Sequence, residues 1–345
     1  MKKHHLGLIV VVGLLIVGGM FLYARVQQSG FAWDRFVDVL SQVSRPWLAA
    51  AVPLILASYV VRAVRWQVMV RPMAPLSTLW ELTTATFIGF TAMVFFGRAG
   101  EPVRPYLIAR KYNIAFSTQV AAWLVERILD LLMILALFGF SLAHATRGGA
   151  ELPTGVKTAG WIAGMAAAAC FAAIIALRRY RGHIRTRLEE ATTFLPDAFR
   201  QRILGFIHAF DEGMQSTRDP ASLWLLVFYT LLEWTFVAAT CVVIFQAFPA
   251  VRGLGIPEVL TVLGVVTFAG IVQIPGVGGG VQLATVLVLT EMYGVELEAA
   301  SGISLVLWAF NYLVAVPVGL VLAFREGIQW RNMRHVGDEN PLGYR

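Results

Sequence analysis

Long apolar runs recur along this chain, with few charged positions inside them. Runs close to the roughly 20 residues that cross a bilayer cover 6–24, 47–70, 119–142, 158–177, 222–247 and 301–324. Shorter or interrupted ones cover 79–96, 257–273 and 280–292. The pattern predicts an all-α, polytopic membrane protein, a single membrane domain over 1–345. The stretch 181–213 alternates basic and apolar positions and predicts amphipathic helices lying on the inner leaflet. Residues 31–43, "FAWDRFVDVLSQV", read as a shorter counterpart outside. The first run, within "MKKHHLGLIVVVGLLIVGGMFLYAR", is longer than the 7 to 15 residues of a secretory signal core and is expected to stay as a helix.

Composition supports the membrane reading, since 58% of residues are hydrophobic and 14% are charged, against about a quarter charged in soluble domains. The net charge of +7 comes from arginines flanking the spans, which points to anionic lipid headgroups and not to nucleic acid. Arginine placement also orients the chain, because cytoplasmic loops are rich in Lys and Arg. The loop 178–220 holds Arg178, Arg179, Arg181, Arg185, Arg187, Arg200, Arg202 and Arg218 and is expected to be cytoplasmic. With Lys2 and Lys3 also inside, an even number of crossings must precede that loop, yet five apolar stretches do.

One stretch therefore fails to cross, and 79–96 is the candidate, because Gly97 and Gly100 turn the chain behind it and basic residues follow. The same logic makes 257–292 a hairpin, interrupted at "IPGVGGG". The expected architecture is six full spans plus two opposed re-entrant hairpins, with both termini and the tail 325–345 cytoplasmic. A rival topology, with 79–96 crossing and the N-terminus outside, fits the basic residues almost as well. Arg62, Arg65 and Arg71 on the cytoplasmic side favour the first.

Under that topology, 6–142 and 158–324 run through the same order of elements from opposite faces, an inverted repeat. Such repeats place substrate sites where broken helices meet near the midplane. The breaks are Gly97 and Gly100 in one half and Pro275, Gly276, Gly278, Gly279 and Gly280 in the other. Unpaired backbone at membrane depth is tolerated only inside protein or beside a watery cavity, so opposed breaks imply a polar interior.

The span from Gln119, with Ser117 and Thr118 as expected caps, carries Glu126, Arg127 and Asp130. Glu126 and Asp130 share a face at i, i+4, and Arg127 reaches Asp130 at i, i+3. A charge at mid-bilayer costs roughly 2.5 to 3.5 kcal/mol on insertion scales, so each needs a partner. Two readings stand: an internal ion pair that locks helices together, or a site. As a site, Arg98, Arg104 and Arg127 receive an anionic head while Glu101, Glu126 and Asp130 tune charge or take up protons. Glu233 is an arginine partner in the second half. Gln273, Gln282 and Asn311 are either interhelical hydrogen bonds or site residues.

Arg62 and Arg65, near a helix end, are expected to snorkel to headgroups. Cys170 and Cys241 read as packing residues, and GxxxG at Gly160 and Gly164 permits a homo-oligomer. The chain has no GxxxxGK[ST] or HExxH, and neither a cofactor nor a metal is expected.

The blocks "GRAGEPVRPYLIAR" (97–110), "ERILDLL" (126–132) and "IPGVGGGVQ" (274–282) resemble the signatures of the lysylphosphatidylglycerol synthase transmembrane-region family, also called flippase-like domain proteins. The resemblance covers nearly the whole chain. It implies a bacterial or archaeal inner-membrane protein that moves or manages lipids between leaflets. Fused members carry an aminoacyl-transferase domain behind the membrane region; this chain runs only a short way past its last span, so lipid aminoacylation is not expected. Many members have Glu where this chain has Gln282.

The resemblance and the buried charges together lead to a translocase of an anionic or lipid-linked headgroup, with a membrane phospholipid or lipid-linked molecule as substrate. A transporter of a small water-soluble solute, an intramembrane lipid-modifying enzyme and a structural partner protein are the alternatives.

Overall fold

The computed structural model describes residues 30–147, 220–269, 273–274 and 278–327, with a few isolated positions between 165 and 205. The expected spans 6–24 and 158–177, the loop 178–220, nearly all of the tail, Pro275, Gly276 and the side chains of Arg98 and Gln273 lie outside the described residues.

Among the described residues the chain is helical, apart from a two-residue β-bridge. The helices are α1 (Trp33–Ser41), α2 (Arg45–Val70), α3 (Leu79–Phe96), α4 (Val103–Tyr112), α5 (Phe116–Arg147), α6 (Pro220–Gln246), α7 (Ile256–Ala269), α8 (Gly280–Tyr293) and α9 (Leu297–Arg325). Four of them, α2, α3, α6 and α9, are long and apolar enough to cross a membrane by length and composition. Helix α5, at 32 residues, is about 48 Å long but carries Glu126, Arg127 and Asp130 in its interior. It starts at Phe116, ahead of the expected caps, and Ser117 and Thr118 lie buried in its first turn.

Local chemistry sets where α3 and α4 begin and end. Thr78 and Glu81 form a capping box at the start of α3, the Glu81 N–H donating to Thr78 Oγ1 at 3.3 Å and the Thr78 N–H to Glu81 Oε2 at 3.3 Å. The helix stops at Gly97, whose φ of +60° is open to glycine and strained for other residues. A 3₁₀ turn over Gly97–Gly100 reverses the chain, and α4 runs back along α3. Its last turn holds Arg110 and Lys111 beside Asn113, which is left-handed; basic side chains suit the negative end of the helix dipole. At the base, Tyr112 donates its phenol proton to Glu81 Oε2 at 2.5 Å. Burial and the Glu81 carboxylate both push the Tyr112 phenol up from its usual range, so it keeps that proton.

Helices α7 and α8 form a second antiparallel pair. Gln273 faces Gly279 and Ile274 faces Gly278 in the bridge between them. At the open end the Tyr293 hydroxyl reaches the Glu258 carbonyl at 3.5 Å.

Helix neighbours follow a regular scheme. Helix α2 packs on α6; α3 packs on α9 as α7 packs on α5; α2 touches α3 as α6 touches α7; and α4 touches α5 as α8 touches α9. The central pair α2 and α6 is antiparallel, since Ser44 at the start of α2 donates its N–H to the carbonyl of Ala247 just past the end of α6, at 2.9 Å. Helix α1 lies across the same end. Its Val39 and Leu40 approach Gly302 of α9, and the Ala32 N–H donates to Glu298 at 2.9 Å.

Two main apolar cores result. One gathers α6, α7, α8 and α9 around Phe245, Phe248, Val262, Leu289 and Ile303. The other gathers α2, α3, α4 and α5 around Trp66, Met69, Leu82, Ile108 and Ala122. Many large apolar side chains remain outward-facing, among them Trp80, Trp224, Leu283 and Phe324, as a surface solvated by lipid requires.

Candidate functional site

The charged residues of the apolar interior converge between α2, α4, α5 and α6. Arg65 on α2 is fully buried. Its Nη2 lies 2.7 Å from Glu126 Oε1 and 3.2 Å from Glu233 Oε2, and its Nη1 donates to Asp130 Oδ1 at 2.7 Å and to Thr230 Oγ1 at 3.1 Å. Three carboxylates from two helices thus face one guanidinium. One turn away, Arg62 pairs with Glu233. Arg127 reaches Asp130 Oδ2 at 2.9 Å, the i, i+3 contact its spacing predicts, and Glu126 Oε2 at 3.4 Å.

Arg104 comes from the first hairpin. The turn at 97–100 carries the chain back so that Arg104 pairs with Glu126, and its guanidinium carbon sits 4.0 Å from the Trp66 ring centroid. This seat depends on Gly89 of α3, where an added Cβ would stand 2.6 Å from Arg104 Cβ. Ring and guanidinium attract through the ring quadrupole, most strongly when water is excluded.

Four guanidiniums, of Arg62, Arg65, Arg104 and Arg127, stand against three carboxylates, of Glu126, Asp130 and Glu233. With these seven ionised the balance is 4 − 3 = +1, and Glu101, on the cleft wall beside Arg104 and Arg127, brings it to 4 − 4 = 0. Isolated charges in such surroundings cost several kcal/mol each, and pairing offsets that cost.

A small cleft of about 10 Å³, room for about one water, opens onto this cluster, lined by Gly89, Phe90, Glu101, Arg104, Trp123 and Arg127 among others. Nη1 of Arg104 and Nε of Arg127 are buried and have no hydrogen-bond partner among the described residues. The cleft therefore pairs two aromatic faces with two arginines that have donors left over. A phosphate oxygen satisfies such donors directly, and guanidinium forks suit its geometry.

Of the residues expected in a site, the fold brings together Glu101, Arg104, Glu126, Arg127, Asp130 and Glu233. Gln282 sits elsewhere, at the second hairpin, where its Oε1 accepts the Gly279 N–H at 2.8 Å and so caps the start of α8. Arg65 corrects an expectation. It does not snorkel but forms the centre of the cluster, because its face of α2 is turned to three carboxylates rather than to the helix end. Arg62 is likewise drawn inward, its side chain 17% exposed. Thr230, Trp66, Phe90 and Trp123 also join the site, and each looks in the sequence like an ordinary residue of an apolar run. No group of three or more His, Cys, Asp or Glu arranged to hold a metal ion occurs among the described residues.

Several helices long enough to cross a bilayer, closed around a buried charge cluster that opens to one cleft, define a multi-pass membrane protein with a polar interior. The chain belongs to the family described as the lysylphosphatidylglycerol synthase TM region, which matches residues 10–319. It is also similar to "Glycosyltransferase AglD" of Haloferax volcanii, 28% identical over 235 residues, or 61% of this chain. The match spans 37% of that relative's length. No solved structure matches the chain.

Proposed function

We propose that this protein is a lipid translocase of the inner membrane, passing the phosphate-bearing head of an anionic or lipid-linked lipid between leaflets through the arginine cleft. One observation carries the reading: Arg104 and Arg127 both line the cleft, and each keeps a buried N–H without a hydrogen-bond partner among the described residues. A lock that only joined helices would have no use for donors left without partners beside a cleft. Membership of a family described by a phospholipid-modifying enzyme's membrane region supports a lipid, and the printed name of the archaeal relative supports including lipid-linked sugars among the heads.

In this reading α3 with α4 and α7 with α8 are the two opposed re-entrant hairpins of an inverted repeat. The matched neighbour scheme, the antiparallel α2 and α6, and the tyrosine-closed base of each pair support it. Both termini and the base of the first hairpin face the cytoplasm. Glu101, at the cleft wall, competes with the phosphate for the arginines and so helps release it. The protein itself performs no covalent chemistry on the lipid.

The test is translocation of a headgroup-labelled phosphatidylglycerol in vesicles holding the purified protein. Arg127→Gln and Arg104→Gln are expected to lower the rate at least tenfold, and Glu101→Gln to alter it several-fold. Wild-type rates in all three would remove the cleft from the mechanism. Uptake of a water-soluble glycerophosphate with no movement of lipid would favour a solute transporter instead.

A further inference from the structure

A second, larger cavity lies behind the arginine cleft. About 210 Å³ lies between α2, α6, α7, α8 and α9, less than the roughly 300 to 1,000 Å³ of pockets that hold whole small ligands, and so room for a slender segment only. Its walls are apolar, with Val237, Cys241 and Val266 representative. The hydroxyls that line it are already spent on their own helices. Ser58 donates to the Ile55 carbonyl at 2.7 Å, Thr240 to Phe236 at 2.8 Å and Thr267 to Leu263 at 2.7 Å. Asn311 is the one lining residue with an amide. Water gains little in such a chamber, and apolar cavities of this kind stay dry and take up apolar ligands.

The chamber and the cleft are linked through Arg62, Glu233, Tyr59 and Phe90. Ser58 and Arg62 are one turn apart on α2, about 6 Å along its axis, and Val237 and Glu233 are one turn apart on α6. The Arg62–Glu233 ion pair therefore stands at one end of the chamber. Phe90, which lines the cleft, lies 4.4 Å beneath the Arg62 guanidinium and 5.0 Å from the ring of Tyr59, the residue after Ser58. A polar cleft and a dry apolar chamber separated by one guanidinium and two rings match the two parts of a lipid.

We infer that the chamber takes a segment of one hydrocarbon chain of the same lipid whose head meets Arg104 and Arg127. The inference rests on the translocase reading and adds to it: the chain is held within the protein while the head crosses, instead of trailing in the bilayer. The substrate class is narrowed accordingly, to lipids with a chain slender enough to fit the chamber. A free phosphate or glycerophosphate engages only the cleft.

The test uses the full chain in vesicles with phosphatidylglycerol carrying a diazirine midway along one acyl chain. Irradiation is expected to place adducts on chamber residues such as Val237 and Val266. Val237→Phe and Val266→Phe, on different helices so that a folding failure in one leaves the other readable, are expected to lower those adducts and the translocation rate several-fold. Leu283→Phe, on an outward face 73% exposed, is expected to change neither. Adducts confined to outward residues such as Leu283 and Phe324, with Arg104→Gln still blocking translocation, would overturn the chamber assignment alone. Chamber adducts with undiminished translocation in both Phe variants and in Arg104→Gln would overturn this inference together with the translocase reading.

Discussion

Arg65 Nη2 lies 2.7 Å from Glu126 Oε1, a contact between residues 61 positions apart and from two different helices. The same guanidinium serves Asp130 and Glu233, so it holds α2, α5 and α6 to one point. Removing one partner from a buried ion pair strands the other and typically costs 3 to 5 kcal/mol. Arg65→Ala is expected to fall in that range, or at its upper end because three carboxylates lose their common partner. Arg62→Ala, with one carboxylate and a partly exposed side chain, is expected to lose less. Thermal denaturation in detergent, read for both variants, checks the order.

Gly89→Ala tests the seat of Arg104. The new methyl meets Arg104 Cβ at 2.6 Å, both are buried, and neither backbone has slack where α3 and α4 run side by side. A loss of about 1 to 3 kcal/mol is expected from overpacking. A melting point equal to wild type would mean the two helices sit further apart.

Tyr112→Phe removes the hydrogen bond that closes the first hairpin. A bond to a charged acceptor is worth about 1.5 to 3 kcal/mol, and here the loss is local. Amide exchange is expected to quicken in residues 78–82 and 109–114 and to stay unchanged in α6. Uniform protection across the variant would show that the base is held by packing alone.

The sequence disclosed the charges of α5 and their spacing, and the Arg127–Asp130 contact at 2.9 Å follows directly from helical periodicity. Glu233 was legible as an arginine partner for the same reason: a carboxylate inside an apolar run needs one. Arg65 was not, because its distance from the end of α2 suggested escape to the headgroups. Counting would have helped, since Glu126, Asp130 and Glu233 are three acids inside spans and Arg127 is one base. The deficit calls for further arginines from a neighbouring helix. Which helix supplies them is a matter of packing, and periodicity along one helix carries no information on its neighbours.

The reversal of the chain behind Phe96 was visible in Gly97 and Gly100, and α4 does run back along α3. The tip residue Gln282 behaved differently. A polar side chain three residues into a helix can cap that helix, and Gln282 does so with Gly279. The chamber behind Arg62 had no sequence signal, because its lining is spread over five helices and reads as plain apolar residues.

Lys111 Nζ lies 3.5 Å from Glu326 Oε1 and 3.4 Å from Glu81 Oε1. Single cysteines at Lys111 and Glu326, in a background without Cys170 and Cys241, are expected to react with an impermeant maleimide from the same, cytoplasmic, side. A cysteine at Trp33 is expected to react from the other. Labelling of Trp33→Cys from the same side as Lys111→Cys would replace the hairpin by a full crossing.

The most direct measurement is the translocation rate of headgroup-labelled phosphatidylglycerol in vesicles containing wild type or Arg127→Gln, with folding of each verified by thermal melting. Arg127 lines the cleft and its side chain is 33% exposed, so its loss should spare the fold more than that of Arg65. A folded variant at least tenfold slower than wild type is the predicted result. A folded variant that moves the lipid at the wild-type rate would contradict a route through the arginine cleft.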